Sequence, residues 1–218
     1  LVHRKVNEVS LVDLVACLFI GAAGALVGGK LFYMIQGFPQ FLELARETGY
    51  TFLDYFNDAG LVYYGGFIGA VLFVLMTAKL VGAPVWSVLD TILPSIPLMH
   101  AFGRVGCFTA GCCYGIPCRW GFTAEGNPLV PEVNGVCRFP VQLLEAGCEL
   151  GLLLLLLRLF RKGKYSGRLV ACYLLGYAPL RFGLEFLRGD AVRGVVFCLS
   201  TSQWLSVLLF CTALWINR

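Results

Sequence analysis

Apolar runs recur along this chain at Ser10 to Gln36, Leu61 to Val81, Trp86 to Phe102, Pro140 to Leu159, Leu169 to Leu187 and Ser202 to Trp215. Each approaches the roughly 20 helical residues needed to cross a hydrocarbon layer of about 30 Å. Lipid offers no hydrogen bonds, so a spanning segment must satisfy its own backbone as a helix or within a closed barrel. The runs are continuous rather than alternating, which selects helices. Composition agrees: 58% of the 218 residues are hydrophobic, mean hydropathy is +0.78, and only 14% are charged, against roughly a quarter in soluble proteins. The sequence predicts an all-α integral membrane protein, a polytopic helical bundle with about six spans in a single membrane domain over 1–218. The formal charge of +4 does not point to nucleic acid, because the basic residues fall between the apolar runs.

Those basic residues report topology. His3, Arg4 and Lys5, Lys79, the 158–168 loop "RLFRKGKYSGR" and Arg218 share one side if the spans alternate, and the positive-inside rule makes that side cytoplasmic. The loops at 37–60 and 104–139 then face the extracytoplasmic side. The first apolar run is too long for the core of a signal peptide.

Charges inside the runs carry the chemistry, since each costs about 2.5 to 3.5 kcal/mol at the centre of a membrane helix and faces a partner or a cavity. In "YAPLRFGLEFLRGD" Arg181 and Glu185 lie four residues apart on one helix face, with Arg188 and Asp190 where the helix emerges. An ion pair that only fixes packing and a polar cavity are the two readings. Arg104 sits between Gly103 and Gly106, either reaching for headgroups or joining Arg181 to grip phosphate, which the arginine fork suits. In that case Gly103 to Gly115 forms a turn, Arg104, Arg181, Glu185 and Tyr64 converge, and Cys112 stands at the rim. Tyr64 precedes Gly65 and Gly66; the phenol is either part of an interfacial belt or beside glycines that admit a substrate. Gln142, Glu145 and Glu149 form one stripe on a later helix, expected to face the interior.

Ten cysteines are present. Cys17, Cys148, Cys172, Cys198 and Cys211 read as packing residues. Cys107, Cys112, Cys113, Cys118 and Cys137 cluster in the extracytoplasmic segment, where a disulfide staple, a reactive thiol and free packing thiols all stay open. Zinc is the weaker reading, because no histidine pattern accompanies the thiols and Cys112-Cys113 lacks the usual spacer.

"GRVGCFTAGCCYG" from Gly103 to Gly115 resembles the signature of prolipoprotein diacylglyceryl transferases, G-R-x-G-N-F-x-N-x-E-x-x-G, keeping Gly103, Arg104, Gly106, Phe108 and Gly115. "GALVGGKLFYMI", "YYGGFIGAV", "RFPVQLLEA", "LRFGLEFLRGD" and "LSTSQWLSVLLF" resemble further family segments, in order and over nearly the whole chain. The resemblance implies a seven-helix bacterial inner-membrane enzyme, its first helix expected ahead of Leu1, with its active site toward the outer face. It implies transfer of the diacylglyceryl group of phosphatidylglycerol to the thiol of a lipobox cysteine in a preprolipoprotein, with release of glycerol phosphate and no metal or soluble cofactor.

Carried onto this chain, the resemblance implies Arg104, Arg181 and Glu185 as catalytic residues, with Tyr64 and Cys112 in proton or thiol roles. Gly65, Gly66, Cys107, Gln142, Glu145 and Arg188 become substrate-binding candidates. The departures are specific: Cys107, Ala110 and Cys112 replace the signature Asn, Asn and Glu, Tyr64 and Phe139 replace two histidines, and Leu144 replaces a tyrosine. They leave three alternatives: a sibling lipid-headgroup transferase with another acceptor, a membrane thiol-redox protein or sulfur-species carrier, and a lipid-binding subunit.

Overall fold

A computed structural model of the chain describes residues 9–163, 168–190 and 195–217. The basic residues His3, Arg4, Lys5, Lys164 and Arg218 lie outside the described residues, as does part of the expected 158–168 loop. The described residues are all-α apart from two small antiparallel ribbons. They divide into two compact units at residues 88 and 89.

The first unit holds α1 (Leu11–Thr48), α2 (Phe52–Asp58) and α3 (Tyr63–Leu80). Ser10 caps α1 by accepting from the Asp13 amide, and Gly49 closes it with φ 70°. The helix continues through Pro39 well past Gln36, so the expected loop at 37–60 is largely helical. Hydropathy marks where the lipid contact ends, whereas the "FLELARE" stretch keeps good helix formers on a helix already nucleated. Thr51 and Asp54 form a capping box for α2.

Glycines set the distance between α1 and α3. A methyl at Gly24 would stand 2.6 Å from the Gly69 carbonyl oxygen, one at Gly28 would strike the Gly65 carbonyl, and one at Gly21 would meet Val74 at 2.6 Å. Gly24 and Gly28 face Gly65 and Gly69, two four-residue spacings in backbone contact, which is how membrane helices associate where lipid removes the hydrophobic drive. Gly65 is thereby occupied by Gly28 and Phe32, and Gly66 by Ala25.

The division falls within α4 (Val85–Ile92), and the second unit continues through α5 (Ser95–Ala110), β1 (Pro117–Thr123), β2 (Cys137–Arg138), α6 (Val141–Lys162), α7 (Leu169–Leu184), a 3-10 turn at Glu185–Leu187, β3 (Val195–Val196), β4 (Leu199–Ser200) and α8 (Thr201–Ile216). Helix α6 packs against α5 and α7, and α7 against α8. Leu93, Leu152, Leu156, Leu169 and Tyr173 form the apolar core. Asp90 is buried and its Oδ1 accepts from the Leu169 amide at 3.3 Å, satisfying a donor at the start of α7. Ser200 and Gln203 form a capping box for α8.

Long apolar spans cover Leu11–Thr48, Val85–Ala110 and Leu169–Leu187, with shorter apolar helices at Tyr64–Leu80 and Thr201–Ile216. Burial is inverted relative to a soluble protein. Glu145, Glu149, Gln142, Arg181 and Gln203 are buried, while Phe19, Phe102, Leu154 and Trp215 are exposed. That pattern belongs to a chain whose outer surface meets hydrocarbon.

Candidate functional site

The segment from Gly103 to Ala110 is not a turn. It completes α5, and the chain reverses only at Gly111, φ 76°, and Cys113, φ 57°. A methyl group at Gly103 or Gly106 would have nothing within 4 Å, so these glycines carry no backbone contact that would break the helix. Arg104 therefore projects from a helix, one turn beyond His100 and one turn before Cys107.

Three helices bring their charges to one carboxylate. Glu145 on α6 is 1% exposed and receives Arg104 Nη2 at 3.0 Å, His100 Nε2 at 3.6 Å and Arg181 Nε at 3.9 Å. Arg181 Nη1 meets Glu185 Oε2 at 2.8 Å, and its Nη2 donates to Ser202 Oγ at 3.1 Å. Arg181 is thus set among two carboxylates and a hydroxyl, and the side chain is 8% exposed. Arg104 keeps 14% exposure and donates from Nε to His100 Nε2 at 3.3 Å. His100 Nδ1 faces Glu149 Oε1 at 2.8 Å. Glu149 is fully buried. Each partner costs much less buried in company than alone, because the charges alternate in sign across the cluster.

A second cluster lies one helical turn away. Gln142, three residues before Glu145, donates from Nε2 to the Cys112 carbonyl at 2.8 Å. Cys112 Sγ lies 3.7 Å from the Cys107 carbonyl, and the sulfur atoms of Cys107, Cys112 and Cys113 all lie within 4.8 Å of one another. All ten cysteines are free thiols. Burial and the neighbouring Cys113 and Cys107 push the Cys112 thiol up to about 11. Burial also raises Cys113, but contact with Arg188 and the charges of Arg188 and Arg104 outweigh it and hold that thiol below its ordinary range. Arg188 is itself clamped by Asp190, Nε to Oδ1 at 2.9 Å and Nη2 to Oδ2 at 2.8 Å.

Backbone pairing holds this loop in place. The Ile116 amide donates to Leu187, Gly189 to Tyr114, and Phe139 to Ile116, so residues 114–116 are stitched between the end of α7 and the start of α6. Only glycine fits at 115, where a methyl would strike the Phe139 carbonyl. Asn127 Nδ2 donates to Ala110 at 3.0 Å and closes α5. Arg138 stacks on Tyr114 at 4.2 Å and donates to Glu132 at 3.0 Å.

Of the residues singled out in the sequence, the structure brings together Arg104, Glu145, Arg181 and Glu185, and gathers Cys107 near the end of α5, Gln142 at the start of α6, Cys112 in the loop between them and Arg188 just past α7. Tyr64, Gly65 and Gly66 belong to the first unit, where Tyr64 is 55% exposed in the first turn of α3. His100, Ser202 and Glu149 complete the cluster; for His100 the signal in the sequence was its position four residues before Arg104.

These observations define a polytopic helical membrane protein with buried arginine-carboxylate pairing beside a thiol-rich loop. The sequence profile of the family described as prolipoprotein diacylglyceryl transferase matches residues 1–217, and the chain belongs to that family. It is similar to the phosphatidylglycerol–prolipoprotein diacylglyceryl transferase of Clostridium tetani, 35% identical over 193 residues that cover 86% of this chain and 73% of the relative. The second transferase of that name from Clostridium perfringens is 33% identical over 209 residues, covering 95% and 77%. The Methylobacillus flagellatus transferase is 30% identical over 206 residues, covering 91% and 74%.

Proposed function

We propose that this chain transfers the diacylglyceryl group of phosphatidylglycerol to the thiol of a prolipoprotein cysteine, at the outer face of the bacterial cytoplasmic membrane. The convergence of Arg104 and Arg181 on the buried carboxylate of Glu145 carries this reading. Phosphatidylglycerol presents one phosphodiester charge, and an arginine fork recognises it through paired hydrogen bonds. Arg104, the less committed of the two, takes the phosphate; Arg181, anchored by Glu145, Glu185 and Ser202, holds the positive field behind it.

In the reaction the acceptor sulfur attacks the glyceryl carbon that bears the phosphate ester. The carbon–oxygen bond breaks, and its electron pair leaves on glycerol phosphate. Charge therefore grows on the phosphate oxygens during the step, and preorganised donors aimed at it lower the barrier. Gln142 and Arg188 position the 112–115 loop at the edge of this site. Cys112, with its raised thiol, is not used as a relay nucleophile. In the topology that goes with this reading, one membrane domain exposes 37–60 and 104–139 outside and 158–168 inside, which the distribution of basic residues supports.

Purified protein incubated with labelled phosphatidylglycerol and a lipobox peptide tests the proposal. A labelled thioether on the peptide cysteine is the expected product. Labelled lipid consumed without peptide modification would instead favour a sibling enzyme with another acceptor, a reading that the replacement of the signature Asn and Glu by Cys107 and Cys112 supports.

A further inference from the structure

The Cys107, Cys112 and Cys113 sulfurs converge in a way that their spacing along the chain conceals. Cys112 and Cys113 are adjacent, and Cys107 stands five residues earlier on α5, yet all three sulfur atoms lie within 4.8 Å of one another. Zinc–sulfur bonds of about 2.3 Å in a tetrahedron put ligand sulfurs about 3.8 Å apart, so a small contraction closes the three around one ion. The left-handed backbone of Cys113, φ 57°, is uncommon for a residue with a side chain. It folds the second adjacent thiol back toward the first. The loop is held from two sides: Gln142 at the start of α6 donates to the Cys112 carbonyl at 2.8 Å, and past α7 Gly189 donates to Tyr114 while Ile116 donates to Leu187. Three protein sulfurs with a fourth position left open is the arrangement of a zinc site that works on a ligand rather than one that only supports a fold.

We propose that Cys107, Cys112 and Cys113 hold one zinc ion whose fourth position binds the acceptor thiol as a thiolate. This rests on the transferase reading, and supplies what that reading lacks: a group that ionises the incoming thiol. A thiol bound to zinc is deprotonated outright. Its proton passes to solvent, and a sulfur lone pair forms the new bond to the glyceryl carbon. The carbon–oxygen bond to phosphate breaks, and its electron pair departs with glycerol phosphate. The thioether left behind is neutral, a poorer zinc ligand than a thiolate, and is released. Arg188, against Cys113, and Arg104, three residues before Cys107, offset the negative charge of a zinc ion carrying four thiolates.

The test uses the full chain in detergent, stripped with a chelator and titrated with cobalt(II) as a coloured substitute for zinc. One cobalt per chain is expected, with sulfur-to-metal charge-transfer absorption, displacement by zinc, and a further spectral change when lipobox peptide is added. Cys107→Ser, Cys112→Ser and Cys113→Ser should each weaken binding by more than the roughly tenfold to hundredfold that loss of a mere supporting group costs. Cys118→Ser should leave binding unchanged. Serine is nearly isosteric, and the thermal transition of each variant checks its folding. Binding that survives in the triple serine variant overturns the proposal, as does a spectrum indifferent to the peptide. A disulfide joining these cysteines in protein purified without reductant overturns it too. If cobalt binds and responds to peptide but no thioether forms from phosphatidylglycerol, the metal site stands and the transferase reading falls. If the triple variant makes thioether at an undiminished rate, the transferase reading stands and the zinc proposal falls.

Discussion

The two units of this chain solve the same packing problem with opposite chemistry. In residues 9–88, α1 and α3 meet through bare backbone, with Gly24 and Gly28 against Gly65 and Gly69. In residues 89–217 an apolar core is joined by buried charge, with Glu145 drawing in Arg104 and Arg181 from two other elements. Glycine contact tolerates nothing larger but asks for no reaction partner. Charge contact is costly to bury and leaves groups able to grip an anion. The first arrangement makes a frame, and the second makes a candidate site.

Glu145→Ala should break the second unit most. It leaves two buried guanidiniums without their shared anion, and loss of one partner of a buried pair costs about 3 to 5 kcal/mol. A collapsed thermal transition in detergent, with no transferase product, is the expected result; a stable variant would show that charge does not organise this unit. Arg104→Lys and Arg181→Lys keep the charge but lose the fork, and each should lower transfer by about a hundredfold. Arg181→Lys should also lower the melting temperature more than Arg104→Lys, because Glu145, Glu185 and Ser202 all depend on it. Equal, near-normal rates in both would separate the arginines from the chemistry.

Gly69→Ala tests the other unit. Its methyl would strike the Gly24 carbonyl, and overpacking of this kind costs about 1 to 3 kcal/mol. Stability should fall while the activity of the folded fraction persists, the reverse of the arginine variants. Alkylation sharpens the comparison within the loop. With Cys113 held low by Arg188 and Cys112 pushed up to about 11, iodoacetamide at neutral pH should label Cys113 first, read by peptide mass spectrometry in metal-free protein. Raising the pH toward 11 should narrow the gap as Cys112 ionises. The smallest effect belongs to Ser200→Ala, which removes the acceptor for the Gln203 amide and should cost about 1 kcal/mol.

The apolar runs place the starts of the long helices to within a few residues, because lipid contact is written as local composition. Helix ends are less legible. α1 extends to Thr48 and α5 to Ala110 because a helix, once nucleated, continues wherever propensity allows, regardless of the membrane edge. Arg104, Arg181, Glu145 and Glu185 stand out by the cost of their charge alone. His100 and Asp90 do not, since neither need be charged to be costly in an apolar run and the partners Glu149 and the Leu169 amide lie far along the chain. The thiol cluster is hidden for a related reason: a spacing rule sees neighbours in sequence, whereas Cys107 reaches its companions only because Gly111 and Cys113 turn the backbone back.

The inverted burial of α6 has a consequence for how the protein is made. With Glu145, Glu149 and Arg158 along its length, this helix falls outside the set of long apolar spans, so it partitions poorly into lipid by itself. Arg104 and His100 are synthesised before it, and Arg181 after it. The helix that carries the first two, α5, is therefore already made when α6 leaves the ribosome, with Arg104 on hand to pair with Glu145. The residues proposed to grip the substrate are thus the same ones whose pairing offsets the cost of placing their own scaffold in lipid.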